Sequence, residues 1–174
     1  LVKRSVLERI GVLDEKFFMY HEDLDLCWRV KLAGYKVMLA PKAVAYHYYE
    51  FHRNKEMFYW TERNRWAVLL QNYSVKSLLL LAPMLMAIEV MMLLYSIIGG
   101  WAGKKLASYG WVWLNLPIIF KQRRRVQAAR IVGDRTIFKT MDAGFAFSEM
   151  RSPLLEHVLT PFSWLYFSIV KTVV

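Results

Sequence analysis

The 174-residue chain has a single cysteine, Cys27, so no disulfide can form within it, and that usage fits a reducing compartment. No secretory signal-peptide pattern stands in its opening residues. Acidic residues run short after the first third. Residues 1–60 carry 10 Lys and Arg against 8 Asp and Glu, whereas residues 61–174 carry 14 against 6. The formal net charge of +10 therefore falls mostly on the part that is also the more apolar. Basic and apolar together point to a membrane with anionic lipid rather than to nucleic acid. Two further absences narrow the chemistry. The sequence has no glycine-rich phosphate loop, and no H-x-x-x-H or similarly tight metal spacing.

What is present begins with apolar length. Residues 78–98, "LLLLAPMLMAIEVMMLLYSII", hold one charge, Glu89, and are long enough to span a hydrocarbon core. "GGWAGKK", 99–105, reads as a turn. The uncharged run 106–120, "LASYGWVWLNLPIIF", is short for a span and reads as a tight return helix or a re-entrant segment. Basic residues flank the pair on both outer sides, and only Lys104 and Lys105 lie between. The positive-inside rule then places both ends in the cytoplasm. Glu89 is either functional, or it is protonated or paired with a polar group across the hairpin. Residues 55–73 mix aromatic and basic residues and read as a helix at the headgroup level. Near the C-terminus, Glu156, Thr160, Ser163 and Lys171 form one polar stripe on a helix otherwise covered by Trp164, Leu165, Tyr166, Ile169 and Val170, as for a surface-lying helix.

The carboxylates concentrate elsewhere. "FFMYHEDLDLCWR", 17–29, places His21, Glu22, Asp23 and Asp25 within five positions. "EDLDLCWRVKLAG", 22–34, reads as a helix: acidic residues fill its first turn, Arg29 and Lys31 come later, and Gly34 closes it. "RSVLERIG", 4–11, is a shorter helix closed by Gly11. "YKVMLAP", 35–41, alternates like a strand, and "AVAYHYY", 43–49, reads as a second one. That order predicts a piece of an α/β domain. Capping alone explains one or two of the carboxylates.

Residues 4–47 resemble the C-terminal half of a family 2 glycosyltransferase catalytic domain, on the A-type glycosyltransferase fold. The likeness rests on G-x-x-D-E-x-F-F-x-x-x-E-D-x-D-L-x-x-R-x-x-x-A-G-Y followed by P-x-A-x-x-x-H, and "ERNRW", 62–66, is similar to the segment after that domain in membrane-anchored, rhamnosyltransferase-like members. The fold class implied is α/β: the C-terminal portion of a Rossmann-like domain, then an α-helical membrane hairpin and interfacial helices. Residue by residue, the resemblance makes Asp23 of the Glu22-Asp23 pair the general base that deprotonates the acceptor hydroxyl in an inverting transfer. Glu22 and Asp25 would orient the acceptor or cap the helix, and Phe17, Phe18 and Tyr20 would wall its pocket or pack the loop. His47 would complete the coordination of a divalent metal, Mn2+ or Mg2+, on the donor diphosphate. Asp23-Leu24-Asp25 satisfies a formal D-x-D pattern, but at a helix start rather than in the loop after a strand where the family's metal motif belongs.

The implied partners are a nucleotide-sugar donor, a polyprenyl-phosphate-linked or glycan acceptor, and membrane lipids, with no nucleic acid. The acceptor would be a lipid-linked or growing cell-surface glycan of the O-antigen, capsule or exopolysaccharide type, and the location the inner membrane with the catalytic part facing the cytoplasm. Four regions follow: 1–54 from the catalytic domain, 55–76 an interfacial helix, 77–120 a transmembrane hairpin, and 121–174 a basic cytoplasmic tail with an amphipathic helix. The chain opens on Leu in what reads as mid-domain sequence, and nothing in it matches the family's donor-binding half. It is therefore expected to be a piece of a longer enzyme, inactive alone. Two alternatives are a truncated, non-catalytic membrane scaffold and a metal-dependent hydrolase built on His21, Asp23 and His47.

Overall fold

The computed structural model describes residues 2–46, 55–141 and 160–174. Among these residues eight helices follow one another: α1 Arg4–Ile10, α2 Glu22–Leu32, α3 Glu56–Asn72, α4 Val75–Ile98, α5 Ala102–Leu114, α6 Leu116–Ala129, α7 Asp134–Phe138 and α8 Thr160–Val173. A 3-10 turn, Glu15–Phe17, lies between α1 and α2. Both short N-terminal helices end as their glycines predict. Gly11 and Gly34 take φ of 82° and 83°, which a side chain would strain.

No strand occurs among the described residues, and this overturns the α/β expectation. The segment 35–41 has the alternation of a strand but no neighbouring segment to pair with. Val37, Met38 and Leu39 stand 43%, 81% and 88% exposed along irregular backbone. A strand is a property of a ladder, and an apolar alternation cannot supply the second rung. Residues 43–46 are likewise irregular, and the remainder of the second expected strand, 47–49, lies outside the described residues.

At the centre is α3, which packs against α2, α5 and α6. It carries more than the interfacial role expected of it: Glu62, Arg63, Asn64, Gln71 and Asn72 are all buried on it. The main core joins Trp28 and Leu32 of α2 to Val68 of α3, Ile119 and Val126 of α6, Phe138 of α7 and Phe167 of α8. The Leu32 carbonyl accepts from the Ile131 and Val132 amides at 2.8 and 3.1 Å, which fixes the end of α2 to the α6–α7 link.

Among the described residues, α4 is the one helix long and apolar enough to cross a membrane, and most of its surface is uncovered. Its 24 residues make about 36 Å, enough for a hydrocarbon core of about 30 Å. The following run is not one helix. It breaks at Asn115, because Pro117 has no N–H to give and its ring excludes a continuous helix; Pro is instead accommodated in the first turn of α6. At 13 residues α5 is about 20 Å long, short of a full crossing. The polar stripe of α8 faces the protein rather than water. Ser163 is buried, Lys171 Nζ donates to the Met141 carbonyl at 3.1 Å, and Trp164, Leu165 and Ile169 point outward. Glu156, expected on that stripe, lies outside the described residues.

Candidate functional site

Leading into α2, the loop takes conformations that L-residues avoid. Phe18, Tyr20 and His21 have φ of 56°, 66° and 67°. Such backbone costs about 1–3 kcal/mol per residue and persists only where its surroundings hold it. Here the hold is visible. Asn64 of α3, fully buried, directs Nδ2 at the carbonyls of Phe17, Met19 and Tyr20 at 2.9, 2.8 and 2.8 Å. Its neighbour Arg63 donates to the Lys16 carbonyl. The Arg63 guanidinium lies 4.1 Å from the ring centres of both Trp60 and Trp111.

On the other side of α2, Arg29 performs the same service for the end of α1. Its Nη1 donates to the Ile10 and Gly11 carbonyls at 2.7 and 3.2 Å, and Nη2 to Val12 at 2.9 Å. Its Nε donates to Asp25 Oδ2 at 2.8 Å, and Asn72 Nδ2 reaches Asp25 Oδ1 at 2.8 Å. Both oxygens of Asp25 are thus engaged, and the residue is fully buried. Burial pushes its carboxyl above the ordinary aspartate range, against the Arg29 charge and the Asn72 hydrogen bond. The acceptor contact expected of Asp25 has no open surface to act through; the residue fastens α2 to α3 instead.

The remaining candidates sit closer to solvent. Asp23 is exposed on the first turn of α2, where its Oδ1 accepts from the Leu24 amide at 2.7 Å. Glu22 is half-buried, and its Oε2 is buried with no hydrogen-bond partner. His21 is half-buried with Nδ1 similarly unpartnered; burial, then the nearby Arg65 charge, hold its imidazole below the usual range and so neutral at pH 7. Phe18 is 70% exposed with its ring 4.9 Å from that of Trp60, and Tyr20 is half-buried. The structure thus brings Glu22, Asp23, Phe18 and Tyr20 to one loop–helix junction and turns Asp25 inward. His47 lies outside the described residues. Among those described, no three His, Cys, Asp or Glu converge where a cation could sit.

A second polar cluster lies on the opposite face of the same turn of α3. Glu62 and Arg65 pair with each other at 2.8 Å. Arg65 and Lys105 both pair with Glu89, Lys105 also pairs with Glu62, and the Tyr109 hydroxyl donates to Glu89. Lys105 is fully buried. Glu89 is therefore paired across to α5, as one sequence reading held, and to α3 as well. Sequence reasoning missed Asn64, Asn72, Arg29 and Lys105. The available signal was "ERNRW", whose four polar residues in succession cannot all face water on a helix.

A stretch of 58 residues is 41% identical to the rhamnosyltransferase WbbL of Escherichia coli, covering 33% of this chain and 22% of that protein. A stretch of 48 residues is 42% identical to the N-acetylglucosaminyl-diphospho-decaprenol L-rhamnosyltransferase of Mycobacterium tuberculosis, covering 28% of this chain and 16% of that one. The matched part is therefore less than a quarter of the length of either curated relative. No family model matches the chain, and no solved structure does. Over a third of its length or less, the chain is related to glycosyltransferases.

Proposed function

We propose that the protein to which this chain belongs transfers a sugar from a nucleotide-sugar donor to a lipid-linked or growing cell-surface glycan at the cytoplasmic face of the inner membrane. The names of the relatives make L-rhamnose the first sugar to try. The observation that carries the reading is Asp23: an exposed carboxylate on the first turn of α2, behind a strained loop whose carbonyls are tied down, in a chain related to glycosyltransferases. Asp23 takes the proton of the acceptor hydroxyl as that oxygen attacks the anomeric carbon. The bond to the nucleoside diphosphate breaks on the opposite side, the diphosphate leaves with the electron pair, and the configuration inverts. Glu22 orients the acceptor, and Phe18 and Tyr20 wall it. With no phosphate-cradling loop in this sequence, the donor would be held elsewhere in the whole protein. A divalent ion there would neutralise the diphosphate, with His47 as this chain's candidate ligand.

The exposed apolar surface of α4 supports a membrane location, and the basic flanks support cytoplasmic ends. Single cysteines at positions 102 and 128, in a Cys27→Ser background, test the topology in intact cells. Impermeant label should reach the first and not the second; equal protection of both, or label on the second alone, overturns it. The chemistry is tested in membranes holding the whole protein. Asp23→Asn should reduce transfer about 10²- to 10⁴-fold at saturating donor, the usual worth of a positioned base. Glu22→Gln should lose less. Near-normal turnover in Asp23→Asn removes the base from Asp23, and with it the main support for the catalytic reading.

A further inference from the structure

We infer that Asn64 is a positioning residue: from the middle of α3 it sets the loop conformation that starts α2 and presents Glu22 and Asp23. The inference rests on the reading of Asp23 as the base. Asn64 Oδ1 accepts from Arg63 Nε at 3.0 Å, and this bond settles which way the amide points. Nδ2 must then face the loop, where it meets three carbonyls within 2.9 Å. Two N–H groups serve three acceptors, so the donor is fully committed to backbone. Those carbonyls belong to Phe17, Met19 and Tyr20, interleaved with the residues whose φ is positive. Left-handed backbone turns its carbonyls out of any helical or extended ladder, and a buried carbonyl with no donor is costly. Asn64 supplies that donor at one point.

Asn64 is itself held. The Arg63 guanidinium that orients it sits between Trp60 on its own helix and Trp111 on α5. Glu62 and Arg65, which flank the Arg63–Asn64 pair, are tied to Lys105 of α5 and Glu89 of α4. The turn 62–65 is thus anchored on its far face to the apolar helices and grips the loop on its near face. A core amide that merely filled space would bond within its helix or to a neighbouring helix. The Nδ2 bonds of Asn64 go to the loop alone.

The test uses the whole protein in detergent or nanodiscs, with two readouts. Hydrogen exchange is followed in peptides covering 14–24, against those covering 26–33 and 66–73. Asn64→Asp puts a carboxylate opposite three carbonyls, and Asn64→Ala removes the donor. Both should speed exchange of the loop peptide about tenfold or more while the helical peptides keep their rates. If Asn64→Ala opens the helices too, Asn64→Ser, which keeps a shorter donor, carries the comparison; a loop that opens ahead of the helices supports the inference, and loop and helices opening together overturn it. The second readout is transfer from nucleotide-activated L-rhamnose to N-acetylglucosaminyl-diphospho-decaprenol. Displacing the base without touching the donor should lower kcat about a hundredfold and leave the donor KM within about threefold. Adding His21→Gly to Asn64→Ala should restore part of kcat, because glycine adopts the left-handed conformation without strain. A donor KM that rises while kcat holds overturns the inference. If the wild-type protein fails to transfer this pair, the rhamnosyl reading fails, and the exchange comparison still decides Asn64.

Discussion

On the α2 side of α3, charged and amide side chains bond chiefly to backbone, with Asp25 joining Arg29 and Asn72 as the exception; on the α4–α5 side they bond to one another. Arg29 and Asn64 between them hold the carbonyls of Ile10, Gly11, Val12, Phe17, Met19 and Tyr20. Glu62, Arg65, Glu89 and Lys105 pair with one another. The difference follows from what each neighbour already has. Helices satisfy their own backbone, so side chains between them are left to specify which faces meet. Irregular backbone cannot, so side-chain donors stand in for the missing ladder. Damage on the first side should therefore release chain, and damage on the second should strand charge.

The largest effect is expected at Arg29. Arg29→Met removes the partner of a buried carboxylate and the donor to three carbonyls together. A loss of about 3–5 kcal/mol is expected from unfolding in detergent. Asp25→Asn keeps the shape and should cost less. Lys105→Met comes next. Arg65 still bridges Glu62 and Glu89 in that variant, so about 1–3 kcal/mol is expected. Glu89→Gln added to Lys105→Met should return part of the loss, since the stranded carboxylate goes too. The comparison breaks if Lys105→Met costs more than Arg29→Met, or if Glu89→Gln and Lys105→Met simply add.

What could be seen in advance was what is local. Gly11 and Gly34 announce the ends of α1 and α2 because a positive φ is a demand of one residue. The apolar run of α4 announces itself by length. The strands at 35–41 and 43–49 could not be decided locally, because a strand needs a neighbour that the alternation does not name. Asp25 shows the same limit at one side chain. An acidic residue in a first turn fits capping, catalysis and core anchoring equally well. Arg29, four residues on, hinted at the third, but the deciding partner is Asn72, 47 positions away. Asn64 was harder still, since its partners are backbone carbonyls, which every sequence has. The break at Asn115 was the most legible feature left unused: a proline two residues further on, inside an apolar run.

The smallest effect is expected at Asp134, where α7 meets the start of α4 and the two modes of bonding mix. Its Oδ2 accepts from the Ser74 amide at 2.7 Å and the Ser77 hydroxyl at 2.6 Å, and its Oδ1 from Arg130 at 2.8 Å. Burial works against its charge, but the Ser77 and Ser74 bonds and the Arg130 charge outweigh burial and hold its carboxyl below the ordinary aspartate range. Its stabilisation is then complete above an unfolded-state pKa of about 3.9 and is lost as pH falls through the lower folded value. Asp25 has the opposite sign. Its folded pKa is raised, so the native state holds the proton more tightly and gains stability as pH falls from that raised value to the unfolded one. Asp134→Asn should cost about 1 kcal/mol near neutral pH, as the loss of a helix cap does. The gap from wild type should close as the solution is acidified below about pH 4. Asp25→Asn should leave the mutant with a steeper acid limb than wild type. Unfolding midpoints of the three proteins between pH 2 and 7 check both signs, and parallel curves for wild type and Asp134→Asn would mean that the Asp134 charge contributes nothing to holding α7 on α4.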